Sequence, residues 1–526
     1  METRVELNKN ISLSEKNEIN FARELQNDIV LPDYCDDISR IIRVDAKPII
    51  KNKYANKDVA RLNGIIAVTV IYISEPYKQL RSFSFSNDFD YSCDIPGVTP
   101  SHKMSAQIEV GELNCRLLNP RKMTVRIENG VLVKTSENKH GSDYDNTAFY
   151  VSNNPGANPD EHDGILIEKL RHNFDSCDML VGETEAKIEE NIAISDGPAA
   201  NEIIYADINI LIDEIKPLYN KAAVKFTSDV KLLYNSVEDK NEYIKITKKI
   251  PSTQIVDVDG LDEKYNCVCK INLSSLKTDI DIDQYGENKV INLDFVAQLE
   301  ITAYKNNEYE AVVDAYSPKY ENSIQNETVK VQRFKGIYKE KQFIEDSIEL
   351  EDNAAGIEEV MDATGIIVIN NSVINESMIT VNNSAEISVM VRGGDGDIQN
   401  LDCSIPIKTE IMADDKIING SADINGYATS LEAAIENGKL NVKVGVSYEC
   451  VVFENENKNI VKAVIIDEEK AKPVKKDAQM IIYYPQKGEN LWGIAKKYDS
   501  QVSKIMKFNK CETQNIADKK IIVIPG

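Results

Sequence analysis

From Lys289 to Ala303 the chain reads KVINLDFVAQLEITA, and Ile291, Leu293, Phe295, Ala297, Leu299, Ile301 and Ala303 take alternate positions without a break. Residues 439–452, KLNVKVGVSYECVV, do the same with Leu440, Val442, Val444, Val446, Tyr448, Cys450 and Val452. A period of two marks strands with one buried face. Turn-forming stretches such as YGEN and ENGK punctuate these runs, so the pattern predicts antiparallel β structure.

The pattern recurs on a longer scale. DIVLPDYCDDISRIIRVDAKPII (28–50) aligns with NIAISDGPAANEIIYADINILI (191–212), allowing one gap, and with SIELEDNAAGIEEVMDATGIIV (347–368). A strand-like stretch follows each at matching distance: VTVIYIS (68–74), VKLLYNS (230–236) and ISVMVRG (387–393). Two copies share an acidic-Gly turn, CDIPGV (93–98) and VDVDGL (256–261). Such self-similarity predicts tandem units.

The expected fold is mainly β, with three antiparallel, sandwich-like repeats at 25–138, 188–322 and 344–456. Residues 1–24 form an N-terminal segment and 323–343 a connector. The stretch 139–187 reads as a loop rich in Asn, Asp, Gly and Pro, followed by a helix through ILIEKLRHNF. DDISRII fits either a short helix or a strand. Residues 457–479 read as a charged linker, with DEEKAKPVKKDAQ as a solvated tether.

The last 47 residues, 480–526, predict a small βααβ module. Met480–Tyr484 is strand-like. Asn490 caps a helix with Leu491, Ile494, Ala495 and Tyr498 on one face. A second helix, starting at Asp499 or Ser500 and ending at Asn509, turns Val502, Ile505, Met506 and Phe508 inward. IIVI (521–524) closes the module as a second strand.

Charge separates the module from the body. The whole chain of 526 residues carries −25. Residues 480–526 hold eight Lys and four acids, a net of +4, which leaves −29 on the rest. An acidic body argues against general nucleic-acid binding, which rests on phosphate neutralisation. A basic foot suggests an acidic partner; a solvated Lys face is the plainer reading. The only tryptophan, Trp492, lies in this foot. It serves either as core filling or as an interface anchor, and the two roles are compatible.

Nine scattered cysteines without a CxxC pair fit reduced thiols in a cytosol. Cys267 and Cys269 share a strand face and make half a metal site at most. The four histidines fall between His102 and His172, badly placed for a Cys-His hydrolase or zinc amidase. DEHDG (160–164) reads as a solvated acidic turn. No GxxxxGK[ST] stretch occurs. These observations predict no enzyme, no metal and no cofactor. The N-terminus lacks a signal pattern, and the longest apolar run, IIAVTVIYI, falls short of a membrane span, so no transmembrane segment is expected.

The module resembles the LysM domain in the order of its aromatic-ended strand, Gly488, capped LWGIAKKY helix, second helix ending at Asn509, and final Ile-Pro. That resemblance implies binding of N-acetylglucosamine-containing glycans through Gly488, Glu489, Asn490 and Leu491 with residues 515–519 opposite. The sequence departs from the family pattern: Gly-Asp-Thr becomes Gly488-Glu489-Asn490, Pro485 replaces an apolar strand residue, and Lys519 and Lys520 stand where Gly and Gln are usual. A bulky cation over a shallow sugar groove suits an acidic protein surface instead.

The body resembles the SPOCS repeat of spore-envelope proteins, on LPDYCDDISRIIRVDAKP, IYISE and CDIPGV in the first unit and VDVDG and DAYSPKY (314–320) in the second. SPOCS repeats ending in one LysM module imply a non-enzymatic morphogenetic scaffold in the mother-cell cytoplasm at the forespore surface. Its implied partner is stage IV sporulation protein A, the spore coat ATPase, with other coat proteins beside it and peptidoglycan out of reach. The implied partner-binding residues are Tyr483, Gly488, Glu489, Asn490, Leu491, Trp492, Ile494, Lys519 and Lys520.

Overall fold

The computed structural model describes residues 2–8, 17–137, 161–162, 165–349, 356–436, 438–472, 480–511, 513–514, 516 and 520–525. A short strand β1 (Glu2–Glu6) opens the chain. The first unit holds β2 (Asn17–Val30), β3 (Asp37–Asn56), β4 (Val59–Glu75), β5 (Leu80–Asp94), β6 (His102–Asn119) and β7 (Lys122–Glu137). Its strands make two antiparallel sheets, ordered β3-β4-β5 and β2-β7-β6. The meander in the middle faces a sheet in which the first strand pairs with the last. Between the two lies a core that includes Leu62, Ile66, Val68, Tyr72, Val125 and Val131.

Two minimal strands, β8 (Glu161–His162) and β9 (Ile165–Leu166), precede the second unit. That unit is built from β10 (Glu168–Ala193), β11 (Ala200–Leu218), β12 (Lys221–Ser236), β13 (Tyr243–Asp257), β14 (Asn266–Asp281) and β15 (Val290–Tyr316). The third has β16 (Tyr320–Glu349), β17 (Ile357–Asn375), β18 (Met378–Gly393), β19 (Ile398–Met412), β20 (Gly420–Glu436) and β21 (Lys439–Ala471). Both repeat the first topology: β11-β12-β13 with β10-β15-β14, and β17-β18-β19 with β16-β21-β20. The alternating residues of β15 and β21 line the cores, as their period of two requires.

Three segments differ from the sequence reading. No helix runs through ILIEKLRHNF; Glu168 onward is β10, paired along its length with β15, and Phe174 stacks on Tyr309 at 6.0 Å. The spacing suits a helix, but a long cross-strand ladder outweighs so weak a local preference. The segment 323–343 is no connector, since it lies inside β16. The linker expected from 457 is strand as far as Ala471, clamped between β16 and β1. Within DDISRII, the residues from Asp37 are strand.

The units also close on one another. Each meander's first strand carries register shifts at matching places, and the residue after the second shift is Arg43 in β3, Tyr205 in β11 and Asp362 in β17. A bulge sharpens the twist and re-aims the side chain that follows it. These three equivalent side chains meet. The Arg43 guanidinium lies 4.4 Å from the centre of the Tyr205 ring and 3.2 Å from the Asp362 carboxylate. Equivalent apolar residues surround them: Ile42, Ile204 and Met361, then Ile71, Leu233 and Met390. The three repeats therefore pack about a pseudo-threefold centre.

The long strands β10, β15, β16 and β21 run past the sandwiches. Their ends combine with β1 into a platform whose core holds Val5, Leu7, Ile167, Val312, Ala315, Val464 and Ile466. Asn8 ties it together, donating to the carbonyls of Val312 and Val461 and accepting from the Val312 amide.

Candidate functional site

The C-terminal module is β22 (Met480–Tyr483), α1 (Leu491–Lys497), α2 (Val502–Asn509) and β23 (Ile522–Pro525). Asn490 caps α1 as its sequence suggests, its Oδ1 accepting from the Gly493 amide at 2.8 Å. Lys496 and Lys497 in the last turn of α1 complement its dipole. No side chain caps α2; its end is marked by Lys510 at φ +51°. The core comprises Leu491, Ile494, Ala495, Val502, Ile505, Ile516, Ile522 and Ile524. Phe508, expected inside, is instead exposed, while Met506 is half-buried.

The first loop is held from within. Glu489 accepts from the Tyr483 hydroxyl at 2.8 Å and from the Gln486 amide at 2.8 Å. The Gln486 amide, then the Tyr483 hydroxyl, keep its carboxyl below the usual range. Gly488 sits at φ +93°, a conformation that favours glycine. Tyr483 meets Tyr498 edge-on at 5.5 Å, with Lys497 5.3 Å from its ring centre. The loop's carboxylate and its Asn490 carbonyl are thus engaged in shaping the turn, and a sugar hydroxyl would have to displace these bonds.

Of the sequence-predicted site residues, Tyr483, Gly488, Glu489 and Asn490 come together in this loop. Leu491 and Ile494 are buried in the core and offer no surface. Lys520 is exposed; Lys519 lies outside the described residues.

Trp492 is 6% exposed, and what buries it is not the module alone. Its ring meets Tyr316 of β15 edge-on at 5.0 Å, and its Nε1–H donates to Asp314 at 2.9 Å. Lys496, one turn along α1, reaches the same carboxylate at 2.7 and 2.8 Å. The Tyr316 hydroxyl donates to the Ser500 carbonyl at 2.7 Å. Burial pushes that phenol well above its ordinary range. Lys472 bridges the Asp499 carboxylate, at 2.7 Å, and the Ser317 carbonyl, at 3.0 Å. The module therefore sits on the platform, seated on DAYSPKY of the second repeat; residues 473–479 of the expected tether lie outside the described residues. Sequence reasoning singled out that motif but not its role; the signal was a strand running on beyond its sandwich into a carboxylate, Asp314, and an aromatic ring, Tyr316.

Residues 37–118 match the family model described as SipL, SPOCS domain, and residues 486–525 match the LysM domain. The chain carries a SPOCS domain in its first unit and a LysM domain at its C-terminus. No curated protein and no solved structure shows significant similarity to it. The SPOCS match spans β3 to most of β6 of the first unit, and the two later units repeat that topology. The LysM match takes in both helices and β23, with Trp492 inside it. No helix among the described residues is long and apolar enough to cross a membrane, and no cluster among them has the ligands for a metal ion.

Proposed function

We propose that this SPOCS–LysM chain is a non-enzymatic scaffold of the spore coat, acting in the mother-cell cytoplasm at the forespore surface. Its LysM module binds stage IV sporulation protein A and so helps anchor the coat layer. The observation that carries the reading is the state of the module's first loop. The groups that would serve a glycan, Glu489 and Asn490, are bonded to Tyr483, Gln486 and Gly493, while a net charge of +4 favours an acidic polypeptide. The three sandwiches, closed about Arg43, Tyr205 and Asp362, supply a rigid frame for such a module.

Recovery of stage IV sporulation protein A by the full chain, compared with a chain ending at residue 479, tests this. Loss of recovery with the shortened chain is expected; equal recovery would remove the module from the interaction. The LysM match itself favours a second reading, capture of peptidoglycan or another N-acetylglucosamine glycan. Co-sedimentation of the full chain with purified cell wall separates the two.

A further inference from the structure

With Trp492 seated on the platform, the module's free surface lies elsewhere. Along β22 exposure alternates: Met480, Ile482 and Tyr484 are 57%, 63% and 67% exposed, while Ile481 and Tyr483 turn toward the helices. On β23 the residues facing the same way are Ile521, Val523 and Pro525, because Ile522 and Ile524 are buried. A two-stranded sheet thus presents six apolar side chains on one outer face. Contiguous apolar surface of this kind on a soluble domain marks an interaction site.

One edge of this sheet is closed and the other open. Asn509 at the end of α2 donates to the Val523 carbonyl at 2.6 Å and accepts from the Val523 amide at 2.7 Å. The backbone groups of Val523 therefore point away from β22. Its partner Ile482 then belongs to a pair without mutual hydrogen bonds, and the Ile482 N–H and C=O point away from β23. Met480, opposite Pro525, has the same orientation; Pro525 has no N–H to donate. Among the described residues no strand or side chain bonds these edge groups.

The ladder ends at the pair Tyr483–Ile522, and Lys520, two residues before it on one strand, and Lys487, four residues after it on the other, are both exposed. The acid described at this end, Glu489, is turned into its own loop by Tyr483 and Gln486, which leaves Lys487 and Lys520 as the exposed charges there. An open edge, an apolar outer face and a cationic end together select an extended segment that alternates apolar and acidic residues.

We propose that β22 takes such a segment from a partner polypeptide as a third strand, its backbone bonded to Met480 and Ile482, its apolar residues on the outer face and its carboxylates toward Lys487 and Lys520. Main-chain bonding along an exposed edge is a recurrent mode of peptide capture. The inference rests on the scaffold reading above, and names the face and the chemistry of the partner within it.

The test uses the full chain and a ten-residue peptide alternating valine and glutamate, with a valine–lysine peptide as control. The acidic peptide is expected to bind at least about tenfold more tightly than the basic one and to slow hydrogen exchange at the Ile482 amide. Ile482→Asp should weaken binding by about tenfold to a hundredfold, while Phe508→Ser, on the exposed side of α2, should leave it unchanged. Trp492 fluorescence reports that each variant keeps its fold. Equal affinity for both peptides, or unaltered exchange at Ile482, would overturn the proposal. A parallel arm with stage IV sporulation protein A distinguishes the failures. Binding of that protein with no protection over 480–484 sinks the strand-addition surface and leaves the scaffold reading standing. Capture of the acidic peptide at Ile482 without binding of that protein supports the surface and removes the named partner.

Discussion

Trp492 donates its indole N–H to the carboxylate of Asp314, 178 residues earlier in the chain. The bond joins the sole tryptophan to the end of the longest strand of the second repeat. It fixes where the LysM module sits and which of its faces remain available. Because Lys496 shares the same carboxylate, one side chain holds two points of α1.

Asp314→Ala should release this contact. Loss of hydrogen bonds to a charged acceptor costs about 1.5–3 kcal/mol, enough to loosen the seat without unfolding the module. Emission from Trp492 is expected to shift to longer wavelength as water reaches the ring, with far-UV circular dichroism unchanged. Trp492→Ala should be harsher, about 3–5 kcal/mol, and should unfold the module.

Tyr316→Phe keeps the edge-on ring contact and removes only the bond to Ser500. A cost of about 1 kcal/mol is expected, read as a small drop in melting temperature with Trp492 emission unmoved. A large red shift would show that the hydroxyl, and not the ring, holds the module in place.

The pseudo-threefold centre makes a different prediction. Arg43 and Asp362 are both buried, and each has a second partner: Asp362 meets Lys245 at 3.1 Å and Arg43 meets Asp45 at 3.1 Å. Arg43→Met alone should cost about 1–3 kcal/mol, because Lys245 still faces the Asp362 carboxylate. The double variant Arg43→Met, Asp362→Leu should recover part of it, since an apolar pair in a dry core is close to neutral, while Asp45 and Lys245, both partly exposed, lose a partner. Denaturant melts of the two variants decide the matter.

Acid should loosen the junction of the first two units. Burial raises the Asp207 carboxyl, but the ion pair and hydrogen bond with Lys47, and the charge of Lys231, together bring it below its ordinary value. A depressed carboxylate contributes stability above its unfolded value of about 3.9 and loses it as pH falls through the folded value. The melting temperature should therefore drop below about pH 4. Asp207→Asn should lower stability at pH 7 and flatten that acid slope.

Much of the frame was legible in the chain. The alignment of 28–50 with 191–212 and 347–368 already sets Arg43, Tyr205 and Asp362 against one another, because equivalent residues in tandem units occupy equivalent places. The unbroken alternation of β15 and β21 announced central strands. What escaped was non-local. The opening strand of each unit pairs with its last, as Asn17 does with Thr135, and no local pattern reveals a partner over a hundred residues away. The helix expected through Ile165–Phe174 failed for that reason.

In the C-terminal module the capped helix at Asn490 and the core positions Leu491, Ile494 and Ala495 follow from spacing alone. Phe508 did not, because α2 is too short to bury two sides. The seat of Trp492 was hidden as well: DAYSPKY reads as a repeat motif, and only the run of β15 past its sandwich brings Asp314 and Tyr316 to the indole.

The central claim concerns what the LysM module recognises, and equilibrium binding of the full chain to stage IV sporulation protein A and to purified peptidoglycan, measured side by side, tests it most directly. Saturable binding to the protein, weakened by added salt, with no retention on the glycan, is the predicted result. Saturable retention on peptidoglycan with no affinity for the protein would contradict it.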